Sequence, residues 1–145
     1  MKTGILFSNG SSNLKVDWAS LLLRLVAGAS LLFGHGIIKL EKLFSDEVIQ
    51  FVDPFGIGEV ATYDLVIFAE FFCAGLVVLG LLTRLALIPL IINMLVIVLI
   101  IHGSDDFGMK ELPLIYLITF VALILMGPGK FSLDRLIKKR NKTVN

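Results

Sequence analysis

Apolar residues fall into four long blocks, at about 18–38, 62–82, 85–102 and 111–127, separated by shorter polar breaks. A helix needs roughly 20 mostly apolar residues to cross a hydrocarbon core about 30 Å thick. Each block matches or approaches that length, so the pattern predicts four transmembrane helices. Arg24 interrupts the first block, but ten Leu, Ile, Val and Phe residues surround it. At about 0.3–0.6 kcal/mol each, they match the roughly 2.5–3.5 kcal/mol cost of one Arg. The second and third blocks nearly touch. A continuous helix through both would be about 60 Å long, twice the core. A tight hairpin is expected instead, with Gly80 as a helix C-cap and Thr83 as the next N-cap. The longest break, 39–61, carries Ser45-Asp46-Glu47 as a helix start and Val48, Phe51 and Val52 at i, i+3, i+4. That pattern predicts a short amphipathic helix in the first outer loop, stopped by Pro54 and Gly56.

Composition agrees with the pattern. The chain has 145 residues, 57% of them hydrophobic and 17% charged, with a net charge of +1. Soluble domains of this size are about 45–50% apolar and ~25% charged. These values argue against a soluble enzyme, a disordered chain and a basic nucleic-acid binder. The fold class expected is all-α, a four-transmembrane-helix bundle spanning 18–137, between a polar N-terminal segment (1–17) and a basic tail (138–145). Segment 1–17 has no apolar signal-peptide core, so the first span is expected to be retained. Lone Cys73 excludes an internal disulfide and any CxxC motif.

Position sharpens the charge count. With four spans both termini share one side. That side carries Lys2, Lys15, Arg84, Lys130, Arg135, Lys138, Lys139, Arg140 and Lys142, against Lys39, Lys42 and Lys110 on the other. The positive-inside rule then places both termini on the cytoplasmic side, and a plasma (inner) membrane is the expected location. The basic tail reads first as a topology anchor and second as a lipid-headgroup or partner site.

Chemistry can hide only in the polar residues of the spans, which are costly there and face the bundle interior. Arg24 and His35 are eleven residues apart, which in an ideal α-helix puts them on one face. Ser30 with Gly34, and Ala69 with Cys73, form small-xxx-small pairs that permit close helix approach. Tyr63, Glu70 and Val77 share a face at spacing seven. Depth arithmetic brings Arg24 and Glu70 within bridging reach, as a functional pair or as one that only fixes helix register. His35 lies between glycines near the outer face, and His102 ends the third span on the same side. Their spacing carries no metal motif, and no metal ligand set is expected. Asn93 is expected to make an interhelical hydrogen bond, and Cys73 to pack as a small apolar residue.

Three runs together resemble DoxX-family membrane proteins: Leu23-Arg24-Leu25-Val26-Ala27-Gly28 with Gly34-His35-Gly36-Ile37-Ile38-Lys39; Glu70, Gly75 and Gly80-Leu81-Leu82-Thr83-Arg84; and Gly127-Pro128-Gly129-Lys130-Phe131-Ser132-Leu133-Asp134. The resemblance implies a four-helix membrane bundle linked to quinol- or quinone-using oxidoreductase systems. It puts Arg24, His35, Lys39, Glu70 and Arg84 on the family's recurring polar positions; Tyr63, Asn93 and His102 are weaker candidates from the polar residues of the spans alone.

Three functions remain open. The first is a redox-associated subunit engaging a quinone or a membrane oxidoreductase partner. The second is a non-enzymatic scaffold or assembly factor, and the third a small-molecule or proton carrier. There is no P-loop, GxSxG or HExxH motif to make the chain an enzyme by itself.

Overall fold

The computed structural model describes residues 13–143. Residues 1–12 of the polar N-terminal segment and the last two residues of the basic tail lie outside them. Among the described residues, four helices are long and apolar enough to cross a membrane: α1 (Leu14–Leu43), α2 (Glu59–Leu79), α3 (Thr83–Ile101) and α4 (Phe107–Met126). A fifth, α5 (Leu133–Thr143), follows a short turn. The four long helices alternate in direction. α1 packs on α2, α2 on α3, α3 on α4, and α4 returns against the first half of α1. The start of α1 and α5 therefore share one end of the bundle, here the tail end. The α1–α2 connection marks the opposite, loop end.

Packing depends on small residues. Ala27, Ala69, Cys73, Ala74 and Ala86 are buried where the helices meet, with Leu31, Leu87, Leu90, Met94, Phe120 and Leu123 filling between them. In lipid, close backbone approach and dispersion replace the hydrophobic drive between helices. The large apolar residues left exposed, such as Leu22, Phe33, Leu99 and Leu125, form the lipid-facing surface.

α1 is longer than the apolar pattern suggests. It starts at Leu14, where the Asn13 side chain accepts from the Lys15 N–H at 3.0 Å. Asp17 and Ser20, in its first two turns, are buried.

Four wide, π-helical turns interrupt the spans: Arg24–Gly28 and Leu32–Gly36 in α1, Phe68–Cys73 in α2, and Ile97–Ile101 in α3. Each holds an extra residue in the turn and rotates everything after it by about 100° relative to an ideal helix. This overturns the single face drawn through Arg24 and His35: Arg24 is fully buried and His35 is exposed. It also moves the close contact with α2 away from Ser30 and Gly34, which are exposed, to Gly28 and Gly36. A Cβ on Gly28 would sit 2.8 Å from Val78 Cγ2, and one on Gly36 would sit 2.4 Å from the Glu70 carbonyl oxygen.

The amphipathic helix expected in the first loop does not form. Residues 44–58 are non-helical. Asp53 organises them instead: its carboxylate accepts from Gly58 N–H (2.7 Å), Thr62 Oγ1 (2.9 Å), Ile57 N–H (3.2 Å) and Phe55 N–H (3.4 Å). A one-turn helix must meet its nucleation cost with few bonds, and this local bonding wins. The bonds, led by that from Gly58, hold the Asp53 carboxyl below the usual carboxylate range.

Between α2 and α3 the chain reverses at Gly80 (φ 69°) and Leu82 (φ 48°), both left-handed. Gly80 is the helix C-cap the sequence suggested. Thr83 is not the N-cap. It is the first residue of α3, whose exposed N–H groups are bonded by a remote side chain, Asp134. The Asp134 carboxylate accepts from Leu82 N–H (2.7 Å), Thr83 N–H (3.0 Å) and Thr83 Oγ1 (2.9 Å).

Candidate ligand pocket

Glu70 sits in the wide turn of α2, about 17 Å from its loop end, near mid-depth of a hydrocarbon core. It is 3% exposed. Its carboxylate is shared between two helices: Oε2 pairs with Lys39 Nζ of α1, and Oε1 accepts from Asn93 Nδ2 of α3 at 3.0 Å. Gly36 makes the first contact possible by letting α1 touch the α2 backbone at Glu70 itself. The Tyr63 hydroxyl donates to the Lys39 carbonyl at 3.0 Å, and its ring meets Phe51 edge-on at 5.1 Å. A carboxylate, an ammonium and an amide from three helices thus form one bonded group in an apolar interior.

That group lies in the wall of a cavity of about 510 Å³ between α2 and α3. Apart from Lys39, Glu70, Asn93, Thr62 and His102, its lining is apolar, including Leu65, Phe68, Pro89, Ile92, Val96 and Ile101. Phe51, Val52, Pro54 and Phe55 of the first loop complete it at the loop end. This accounts for the apolar residues at 51 and 52, whereas Val48 is exposed. Phe51 and Val52 line the cavity rather than a surface helix. His102 stands at the same end, its Nδ1 2.8 Å from Asp105 Oδ2. A mostly apolar concavity with a few convergent polar groups is the usual form of a small-molecule site.

The other candidates lie elsewhere. Arg24 is not paired with Glu70. Its Nη2 donates to the Phe131 carbonyl at 2.6 Å, and its Nη1 lies against Gly80. The physical reason is proximity: Lys39 and Asn93 already satisfy Glu70, and the 127–134 segment folds back over Arg24. Arg84 is half-buried in the first turn of α3 at the tail end, and His35 is exposed on α1. Of the five leading candidates the structure joins Lys39 and Glu70. It adds Asn93, Tyr63 and His102 from the second rank.

Sequence reasoning missed the tail-end latch. Ser20 Oγ donates to the Gly127 carbonyl (2.7 Å), Asp17 Oδ1 accepts from the Lys130 N–H (2.9 Å), and the Asp134 N–H donates to the Gly80 carbonyl (2.9 Å). The signals were an acid at the start of an apolar span and the Gly-Pro-Gly turn. Together these contacts tie the end of α4 to the starts of α1 and α3.

Fold and cavity define a small helical membrane protein with a lipid-depth pocket between two spans. The chain belongs to the DoxX family, whose model matches residues 19–103, more than half of its length. Every residue lining the cavity lies inside that match. The chain is 41% identical over 68 residues to an uncharacterised protein of Haemophilus influenzae, covering 44% of this chain and 45% of the relative. It is 36% identical over 85 residues to an uncharacterised membrane protein of Mycobacterium tuberculosis, covering 49% of this chain and 52% of the relative. The chain thus spans about half the length of the curated relatives it matches. No solved structure matches it.

Proposed function

We propose that this chain is a quinone-engaging subunit of a membrane oxidoreductase system, with the cavity as its headgroup site. The observation that carries this reading is the Lys39/Glu70/Asn93 group in the wall of a 510 Å³ apolar cavity at membrane depth. Lys39 Nζ and Asn93 Nδ2 are donors suited to a quinone carbonyl, and the Glu70 carboxylate is an acceptor suited to a quinol hydroxyl. These roles bind and orient a headgroup and hold a proton. The electrons are exchanged with a partner oxidoreductase.

A second, apolar cavity of about 270 Å³ shares Phe68 and Pro89 with the first and continues along Cys73, Leu76, Leu85 and Ile88 toward the tail end. It suits a hydrocarbon tail. The same reading places the chain in the plasma membrane with both termini cytoplasmic, on the strength of the basic residues gathered at the tail end.

The test is purification in mild detergent, extraction and mass spectrometry of bound quinone, with thermal unfolding measured against added short-tail quinone. Bound quinone, or stabilisation lost in Asn93→Leu, is expected. Neither bound quinone nor stabilisation in the wild-type protein would overturn the proposal. A purely scaffolding subunit would show a stoichiometric protein partner whose binding is unchanged in Asn93→Leu.

A further inference from the structure

α5 does more than add charge to the tail. Its sequence, LDRLIKKRNKT, carries Arg135, Lys138, Lys139, Arg140 and Lys142 against one acid, Asp134. That acid is already committed, since its carboxylate bonds the start of α3. By helical register Arg135, Lys138 and Lys139 share one face of α5, and all three are exposed. Leu133, Leu136 and Ile137 follow at i, i+3, i+4 and form one apolar strip, with Leu136 61% and Ile137 50% exposed. A helix with a basic face and an exposed apolar strip is the form that lies in a membrane interface.

Its position fits as well. The turn before α5 is fixed by Asp134 to the α2–α3 reversal and by Lys130 to Asp17 of α1, so the helix starts where the spans end. Beside that turn Trp18 packs on Phe131 with ring centroids 4.6 Å apart, and both rings are exposed. Exposed aromatic rings at a span end mark the headgroup level.

We propose that α5, with Trp18 and Phe131, is a docking surface for the anionic phospholipid headgroups of the leaflet at the tail end. The apolar strip enters the acyl boundary, and Arg135, Lys138, Lys139 and Arg140 meet the phosphates. A topology anchor needs only the charges. The folded amphipathic helix and the committed acid are what point to a lipid surface.

Trp18, the single tryptophan, supplies the probe. The full chain is reconstituted in phosphatidylcholine vesicles containing equal fractions of brominated phosphatidylglycerol or brominated phosphatidylcholine, and quenching of Trp18 is compared. Quenching several-fold more effective by the brominated anionic lipid is expected, weakened by salt and equalised in K138E/K139E/R140E. Those side chains are all exposed, and thermal unfolding of the variant beside the wild type checks that the fold is kept. In L136S/I137S the preference is expected to fall while the charges remain. Equal quenching by the two lipids in the wild-type protein, or a preference unchanged by the charge reversal, would overturn the proposal. The basic face would then serve topology or an acidic protein.

Discussion

Glu70 and Lys39 meet across the contact between α1 and α2, where Gly36 brings the two backbones together. The pair joins two helices, and Asn93 adds the third. Removing one member of a buried ion pair leaves the other charge without compensation, at about 3–5 kcal/mol. Lys39 is 21% exposed on its side chain and can relax toward water, so the loss falls at the low end for Glu70→Leu and the high end for Lys39→Met. The double variant is expected to be more stable than Lys39→Met alone. Thermal unfolding of the four proteins in one detergent gives the coupling directly.

Gly36 and Gly34 separate helix contact from helix composition. A Cβ at Gly36 would meet the Glu70 carbonyl oxygen at 2.4 Å, whereas one at Gly34 meets nothing within 4 Å. Gly36→Ala is expected to destabilise by about 1–3 kcal/mol, as overpacking does. Gly34→Ala is expected to be neutral or slightly stabilising, because Ala favours the helix. The difference between their unfolding temperatures checks both.

Asp53 makes the first loop sensitive to acid. Its carboxyl is held below the ordinary 3.8 by the Gly58 N–H first, with the Thr62 hydroxyl and the Ile57 and Phe55 N–H groups adding to it. A lowered folded value means the unfolded loop binds more protons. The ordering is therefore complete above 3.8 and is lost as pH falls through the lower, folded value. Amide exchange at Ile57 and Gly58, corrected for its intrinsic pH dependence, is expected to accelerate only in that acidic range. Asp53→Asn is expected to remove the pH step and leave the loop less protected at neutral pH.

The four spans were legible because long apolar runs have one use in a chain of this size. The partners inside them were not. A π-helical turn inserts one residue and leaves no compositional mark, yet two of them between Arg24 and Ile37 turned His35 outward and brought Gly36 inward. Lys39 follows the apolar block and so reads as a loop charge. α1 continues to Leu43, which places Lys39 in reach of Glu70. Phe51 and Val52 mimic the apolar face of a short helix because they line a cavity wall, while Val48 is exposed. Asp134 could not be read as the cap of α3 because the two lie 51 residues apart, although the Gly-Pro-Gly turn marked the segment that carries it.

Asp134 tests the latch. It bonds two N–H groups and one hydroxyl at the start of α3, where side-chain capping is worth typically ~1 kcal/mol and up to about 2. Asp134→Ala is expected to cost at least that much, since Leu82 also loses support for its left-handed conformation. Asp134→Asn keeps the oxygen acceptor and is expected to retain part of the stability. Proteolysis at the α2–α3 reversal, faster in the alanine variant and intermediate in the asparagine variant, is the measurement.

Gly80 and Arg24 are coupled through space that only a glycine leaves open. A Cβ on Gly80 would lie 2.1 Å from Arg24 Nη1 and 2.7 Å from Ser132 Cβ, and Gly80 also has φ 69°. Gly80→Ala therefore carries two separable penalties. The left-handed backbone costs about 1–2 kcal/mol for a residue with a Cβ, and the clash displaces a guanidinium that bonds the Phe131 carbonyl. In an Arg24→Met background the guanidinium clash is gone, while the backbone cost and the Ser132 contact remain. The glycine substitution is thus expected to be less damaging in the Arg24→Met protein than in the wild type. Additive losses in the double-mutant cycle would show that Arg24 Nη1 does not occupy the space beside Gly80.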